Sequence, residues 1–253
     1  MQEATASEVA SLRADHARLA AQLASAQQAL EELAYHAAHQ LRPPLRGAHG
    51  LVGVLREDFG SALPAPALNL LAQLGGQVDQ ASRRLEGLIQ LARATTRPLR
   101  PVAVDVSTLA HEVIAALSRA PEARARWQVA DGLTVWADPG ALREILEEVC
   151  GNALRFSAGL TTADSVFSIL GQEDEAGRCW ICVRDPGSGF ESRHAGKLFQ
   201  PFQFLHEDPQ PPGIGIGLAL SARLIARHDG LVRLCPAIPR GAEFGFWLPG
   251  PPP

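Results

Sequence analysis

Tyr35-His36-Ala37-Ala38-His39-Gln40-Leu41-Arg42-Pro43-Pro44-Leu45-Arg46 lies inside a long helical pattern, and its reading decides what the first part of the chain builds. It carries two histidines, two arginines and a double proline, a combination that apolar periodicity alone does not produce. Upstream, residues 1–33 repeat apolar positions every three and four residues. With Val9 at heptad position a, the a/d series is Val9, Leu12, His16, Leu19, Leu23, Ala26, Leu30, Leu33 and Ala37, with His16 its one polar member. Ala, Glu, Gln and Arg fill the remainder and favour helix. The spacing predicts a parallel coiled coil. In its register His36 falls at g, beside the seam, and His39 at c, facing solvent. Pro43 and Pro44 remove two backbone donors and are expected to bend the helix just after His39.

Downstream, helical periodicity resumes at Leu45 and runs to about Asp58. Residues 59–66 (FGSALPAP) read as a turn. A second helix is expected from about Ala67 to Ala94, with Leu70, Leu71, Leu74, Val78, Leu85, Leu88 and Leu91 on its apolar side. Two long helices with a short connection make an antiparallel hairpin. One hairpin covers only part of two apolar faces, so the chain predicts a homodimer in which two hairpins form a four-helix bundle. Residues 96–101 end in RPLRP and read as a linker. The division is therefore a coiled coil over 1–33, a hairpin over 34–95, the linker, and a second domain over 102–253.

Composition narrows the function. A net charge of −4 gives no electrostatic case for nucleic acid as a main partner. No run of 18 apolar residues is present to span a membrane, and the polar N-terminus is no secretory signal. Cys179 and Cys182 form a C-x-x-C on an alternating segment, where residues three apart face opposite sides of a strand. With Cys150 and Cys235 they read as reduced, buried small residues, which suits a cytoplasmic location.

Residues 102–253 mix strand-like and helix-like segments. Strands are expected at 102–106, 126–129, 133–136, 166–170, 179–184, 231–234 and 243–248. The second and third would form a hairpin around Asp131-Gly132. Helices are expected from a Ser107 cap to Ser118, from an Asp138 cap to Phe156, and from Ile214 to His228. The order argues an α/β sandwich with helices on one face of a mixed sheet.

Three patches in this half carry chemistry. Glu148 and Asn152 lie four apart on one helical face, where two hard oxygens can hold Mg²⁺ and its waters; an exposed Glu/Asn pair is also ordinary. Asp185-Pro186-Gly187-Ser188-Gly189 follows a strand. There Asp185 can accept from an exocyclic amine such as adenine's, and the glycines admit a flat ligand; a tight turn reads equally well. Gly213-Ile214-Gly215-Ile216-Gly217 leads into a helix whose free N–H groups suit polyphosphate. Its spacing is neither the dinucleotide fingerprint nor a P-loop.

The order of these patches matters more than any one of them. Together with the first stretch, it resembles the transmitter region of sensor histidine kinases, including their phytochrome-like branch. Ala38 to Leu45 is similar to the phosphoacceptor box, Asn152 to Ser157 to the N box, and Asp185 to Gly189 to the G1 box. Phe199-Gln200-Pro201-Phe202 is similar to the F box, and Gly213 to Gly217 to the G2 box. The resemblance implies an α+β chain: a coiled coil and dimerising hairpin, then an ATP-binding sandwich of the gyrase, heat-shock chaperone, histidine kinase and MutL type. It implies that His39 attacks the γ-phosphorus of ATP, with Gln40 accepting from the imidazole's other N–H. The phosphoryl group would then pass to an aspartate on a response-regulator receiver. Asn152 would ligate Mg²⁺ and Glu148 orient its waters. Asp185 would recognise adenine with Gly187 and Gly189 beside it, Gly213, Gly215 and Gly217 would shape the phosphate loop, and Arg155 would neutralise phosphate charge. An upstream sensor domain is also implied.

Several positions depart from the family's common pattern. Gln40 replaces an acidic residue, and Pro43 replaces a Thr or Asn that positions water, so weak phosphatase activity is expected. Glu148 resembles gyrase-type ATPases, Ala242 replaces a Thr or Ser, and the lid over residues 203–212 is short and proline-rich. These departures also motivate a second expectation, a degenerate kinase serving as a nucleotide-binding dimeric scaffold. His36 could be a decoy acceptor. His49 and His111 read as surface or packing residues, and His228 as a helix C-terminal residue.

Overall fold

A computed structural model describes residues 2–118, 125–157, 165–204, 213–238 and 240–251, and the chain divides into two compact units, Met1–Thr96 and Arg97–Pro253. The seam positions Val9, Leu12, Leu23 and Leu30 and the lid residues 205–212 fall outside the described side chains.

The first unit is a hairpin of two helices, α1 (Gln2–Phe59) and α2 (Ala65–Thr96). The helix α1 continues without interruption through Pro43 and Pro44. The prolines cost two bonds rather than an end. They lack an N–H, so the carbonyls of His39 and Gln40 have no helical donor four residues on. The connection is tight: the N–H groups of Ala62 and Leu63 donate to the Phe59 carbonyl, and those of Ala67 and Leu68 to the Pro64 carbonyl. Within the hairpin, α1 turns Ala34, Ala38, Arg42, Leu45, Ala48 and Val52 inward, spaced by three and four residues, and Ala38 is fully buried. On α2 the buried residues are Val78, Gly87, Ile89 and Ala94. Leu70 and Leu74, expected on the covered side, are 66% and 51% exposed, and Leu33 of the seam is 66% exposed. A two-helix hairpin has one mutual interface, and these residues lie off it.

The second unit holds β1 (Val102–Asp105), α3 (Val106–Leu117), β2 (Arg126–Val129), β3 (Thr134–Ala137), α4 (Pro139–Ser157), β4 (Val166–Glu173), β5 (Cys179–Arg184), α5 (Ala195–Leu198), α6 (Gly217–Ala226), β6 (Leu231–Pro236) and β7 (Ala242–Trp247). Five strands form one mixed sheet in the order β2-β4-β5-β7-β6, with β2 parallel to β4 and the other pairs antiparallel. Phe167, Ile169, Ile181, Val183, Phe244 and Phe246 are buried on it, and Leu142, Ile145, Leu146 and Val149 of α4 and Leu224 and Ile225 of α6 complete the core.

Two local expectations are corrected. The segments around Asp131-Gly132 do not pair with each other. β3 pairs antiparallel with β1 in a separate two-stranded ribbon, while β2 lies along β4, where Trp127 stacks on Phe167 at 4.9 Å. The buried Ser107 hydroxyl directs this route: it donates to the Ala130 carbonyl at 2.7 Å and accepts from the Leu133 N–H at 3.0 Å. Ser107 is therefore not the cap of α3; Asp105 is, accepting from the Thr108 N–H at 2.9 Å.

Asp138 does cap α4, accepting from the Ala141 N–H at 2.9 Å with Pro139 in the first turn. His228 locks this start from the far end of α6. Its Nε2 accepts from the Asp138 N–H at 3.0 Å, so Nδ1 carries the proton and donates to the Leu224 carbonyl at 2.8 Å. Asp138→Ala should lower the stability of the second unit by about 1 kcal/mol, read from its urea midpoint. Tryptophan fluorescence reports that unit alone, because Trp127, Trp136, Trp180 and Trp247 are the chain's four tryptophans.

All four cysteines are free. Cys150 and Cys182 are buried, and burial pushes the Cys150 thiol up to about 12. Cys179 and Cys235 are exposed, contrary to the expectation that all are buried. Cys179 sits on the opposite face of β5 from Cys182, as the strand period requires.

Candidate nucleotide site

The second unit brings the three patches to one helix. The segment of α4 from Glu148 to Ser157 forms one wall. Asn152 and Arg155 lie one turn apart, and the Arg155 Nη2 donates to the Asn152 Oδ1 at 2.6 Å. Glu148 is half-buried; burial raises its carboxyl pKa, opposed by the Arg155 charge and reinforced by Glu147 and Glu144.

The glycine loop closes on this wall. Gly213 and Gly215 have φ of +111° and +72°, a left-handed backbone that excludes helix, so α6 begins at Gly217 and not at Ile214 as expected. A Cβ on Gly213 would stand 2.7 Å from the Arg155 Nη1, and one on Gly217 would collide with the Glu148 carboxylate. Glycine at both positions is what lets Arg155 and Glu148 lie over the loop. No side chain caps the first turn of α6, so its N–H groups face the loop without a side-chain acceptor. The aromatic stretch before the lid is tied to the same loop. Phe202 adopts φ +63° and donates its N–H to the Gly215 carbonyl at 2.7 Å, and a Cβ on Gly215 would meet the Phe204 ring at 3.0 Å.

The other end of the wall meets the turn after β5. Asp185 turns back on its own loop: its Oδ1 accepts from the Gly187 N–H at 2.8 Å and the Ala242 N–H at 3.3 Å. Burial raises its pKa, against the pull of those two donors. Gly187 packs flat against the end of α4, where a Cβ would stand 2.7 Å from the Phe156 carbonyl oxygen and 3.0 Å from the Ser157 Oγ. That hydroxyl is buried and makes no hydrogen bond among the described residues. Gly189, at φ +70°, abuts Gly241, whose own φ is +103°. A Cβ on Gly241 would run into the Asp185 carbonyl. Gly241 is thus part of the site although no motif flagged it. The available signal was a glycine opening the last strand, a position for close backbone approach.

In the first unit His39, Gln40 and His36 are exposed on α1. His49 is exposed, a surface residue, and its Nδ1 lies 2.8 Å from the Asp79 Oδ1 across the hairpin.

Residues 137–252 match the family described as "Histidine kinase-, DNA gyrase B-, and HSP90-like ATPase". Across most of its length the chain is similar to "Cyanobacterial phytochrome B" of Nostoc sp. (strain PCC 7120), 26% identical over 235 residues that cover 92% of this chain and 31% of that protein. It is also similar to "Adaptive-response sensory kinase SasA" of the same strain, 27% identical over 224 residues that cover 83% of this chain and 55% of that one. Among solved structures it resembles full-length ShkA in complex with AMPPNP, with a TM-score of 0.60 and 28% identity over 86% of this chain and 45% of that chain. The chain is similar to the transmitter regions of sensor histidine kinases: a helical N-terminal unit followed by a unit that matches the ATPase family. It spans 31% to 55% of the length of these relatives.

Proposed function

We propose that the chain is the catalytic part of an ATP-dependent protein-histidine kinase whose phosphoacceptor is His39. One observation carries this: a glycine loop and a half-buried aspartate bracket a single helix, α4, in the ATPase-family unit, and the same chain presents an exposed histidine on a helical hairpin. From Glu148 to Ser157 the wall is about 13 Å long, a span suited to an extended nucleoside triphosphate. Adenine lies at Asp185 and Gly187. The phosphates lie at Gly213, Gly215 and Gly217, with the start of α6 and Arg155 facing their charge.

The unprotonated ring nitrogen of His39 attacks the γ-phosphorus. The N–P bond forms as the bond to the β,γ-bridging oxygen breaks, and ADP leaves. A neutral imidazole needs no strong base for this, so positioning and charge neutralisation carry the catalysis. The other ring N–H stays protonated, with the Gln40 amide oxygen as its acceptor. The phosphoryl group then passes to a receiver aspartate of a response regulator. Pro43 has no side-chain group to hold a water for the reverse hydrolysis of that partner, so phosphatase activity is weak.

Glu148 and Asn152 suit Mg²⁺. They offer one carboxylate and one amide oxygen, and no cluster of three or more acidic, His or Cys side chains among the described residues competes as a metal cage. Mg²⁺ prefers such a sparse oxygen set completed by water and phosphate. Asn152 Oδ1, which accepts from Arg155 at 2.6 Å, would give up that hydrogen bond to hold the ion. When bound, the ion offsets phosphate charge.

A homodimer fits the hairpin, because Leu33, Leu41, Leu51, Leu55, Leu70 and Leu74 remain exposed on it. No helix among the described residues is long and apolar enough to cross a membrane. The free cysteines accord with a cytoplasmic site, and sensing is assigned to a domain outside this chain. The scaffold reading is kept by Gln40 and Pro43: a chain that binds nucleotide without self-labelling would have that role. Incubation with γ-labelled ATP and Mg²⁺ separates the two, since only a kinase acquires an acid-labile, alkali-stable label that His39→Gln removes.

A further inference from the structure

Tyr35 lies one turn before His39 on α1. Its ring centroid is 6.4 Å from that of His39, with the rings 35° apart. The same ring meets His36 edge-on at 5.9 Å. From the other helix, the Arg93 guanidinium carbon stands 5.8 Å from the centre of the Tyr35 ring. Side chains of both helices, His36 and His39 from α1 and Arg93 from α2, therefore meet on one exposed tyrosine.

The hairpin's buried apolar contacts are Ala38, Val78, Ile89 and Ala94, and neither Tyr35 nor Arg93 is among them. The histidine gains from this arrangement. An exposed imidazole on a helix has two open χ1 wells. Only the one that aims the attacking nitrogen along the approach line is productive. A neighbouring ring that contacts one rotamer favours it. Tyr35 is itself 42% exposed, so its ring needs a restraint of its own, and a cation held over its face supplies one.

We propose that Tyr35 and Arg93 are positioning residues for His39: Tyr35 holds the imidazole in its productive rotamer, and Arg93 acts through Tyr35 by holding the ring. The inference rests on His39 being the acceptor.

Initial rates of labelling by γ-labelled ATP, measured on the full chain across ATP concentrations, test it. Tyr35→Ala lowers kcat about fivefold and Arg93→Ala about threefold, both with KM for ATP unchanged. Tyr35→Phe stays within about twofold of the parent, because the ring and not the hydroxyl makes the contact. Tyr35→Ala combined with Arg93→Ala is no slower than Tyr35→Ala alone, the signature of one residue acting through another. Multiplying losses in the double variant overturn the proposal, since Arg93 would then act on the phosphoryl group by itself. A Tyr35→Phe variant as slow as Tyr35→Ala overturns it too. Helix content by circular dichroism guards against unfolding, and Tyr35→Phe and Arg93→Lys carry the test if the alanine variants lose helix. If the parent is not labelled at His39, the kinase reading fails first. If it is, and every variant labels at the parent rate, the positioning role alone falls.

Discussion

Gly241→Ala abolishes nucleotide binding and costs the second unit about 3 kcal/mol of stability. The glycine has φ of +103°, where a side chain is strained whatever the space around it. The added Cβ would also run into the Asp185 main-chain carbonyl, with the carbonyl carbon at 2.9 Å and Oδ1 at 3.3 Å. A flexible side chain can swing away from such an atom; a backbone carbonyl at a strand end cannot. The Asp185 N–H donates to the Ala242 carbonyl at 3.0 Å, so any retreat of the loop also breaks the exit from β5. The half-buried Asp185 carboxylate would lose the Ala242 donor that offsets its partial burial. Urea unfolding followed by tryptophan fluorescence reads the stability, and calorimetric titration with ADP reads the binding.

Gly217→Ala has the opposite profile. The new Cβ would strike the Glu148 carboxylate, with Cδ at 3.1 Å and the Glu148 Cβ at 3.4 Å. The colliding atoms end a flexible side chain, so the fold can yield. Alanine also favours the helix that begins there, by about 1 kcal/mol over glycine. The melting temperature therefore stays close to that of the parent. Function does not, because Glu148 is driven from the wall it shares with Asn152. If Glu148 supports a Mg²⁺ site as proposed, its displacement typically costs about 10–100-fold, and a loss of that order is expected in the labelling rate. A higher Mg²⁺ concentration should be needed for half-maximal rate. The two glycine variants together separate a residue that holds the fold of the site from one that holds its chemistry.

The backbone features that shape the candidate site are legible in the sequence because they are local. Asp185 with Gly187, and Gly213 with Gly217, each announce a backbone conformation within five residues, and Glu148 and Asn152 announce a helix face. Long-range pairing was not legible. The strands around Asp131-Gly132 have the composition of a hairpin, yet the Ser107 hydroxyl and the Trp127–Phe167 stack send them to different sheets. The same holds for Gly241, whose partner Asp185 is remote in sequence. The start of α6 was misplaced because apolar periodicity ignores the sign of φ at Gly213 and Gly215. Heptad spacing sets Leu33 and Ala37 on the seam and His39 away from it; in the hairpin all three are exposed and Ala38 is the buried residue. The spacing carried no trace of Arg93 reaching Tyr35 from α2.

The central claim is that His39 receives the γ-phosphoryl group of ATP. Its most direct test is labelling of the full chain with γ-labelled ATP and Mg²⁺, followed by acid and alkali treatment and by mass-spectrometric mapping of the modified peptide. The account predicts an alkali-stable, acid-labile label on His39, absent from His39→Gln although that variant still binds ADP as the parent does. An undiminished label in His39→Gln, or a label mapped to His36, would contradict it.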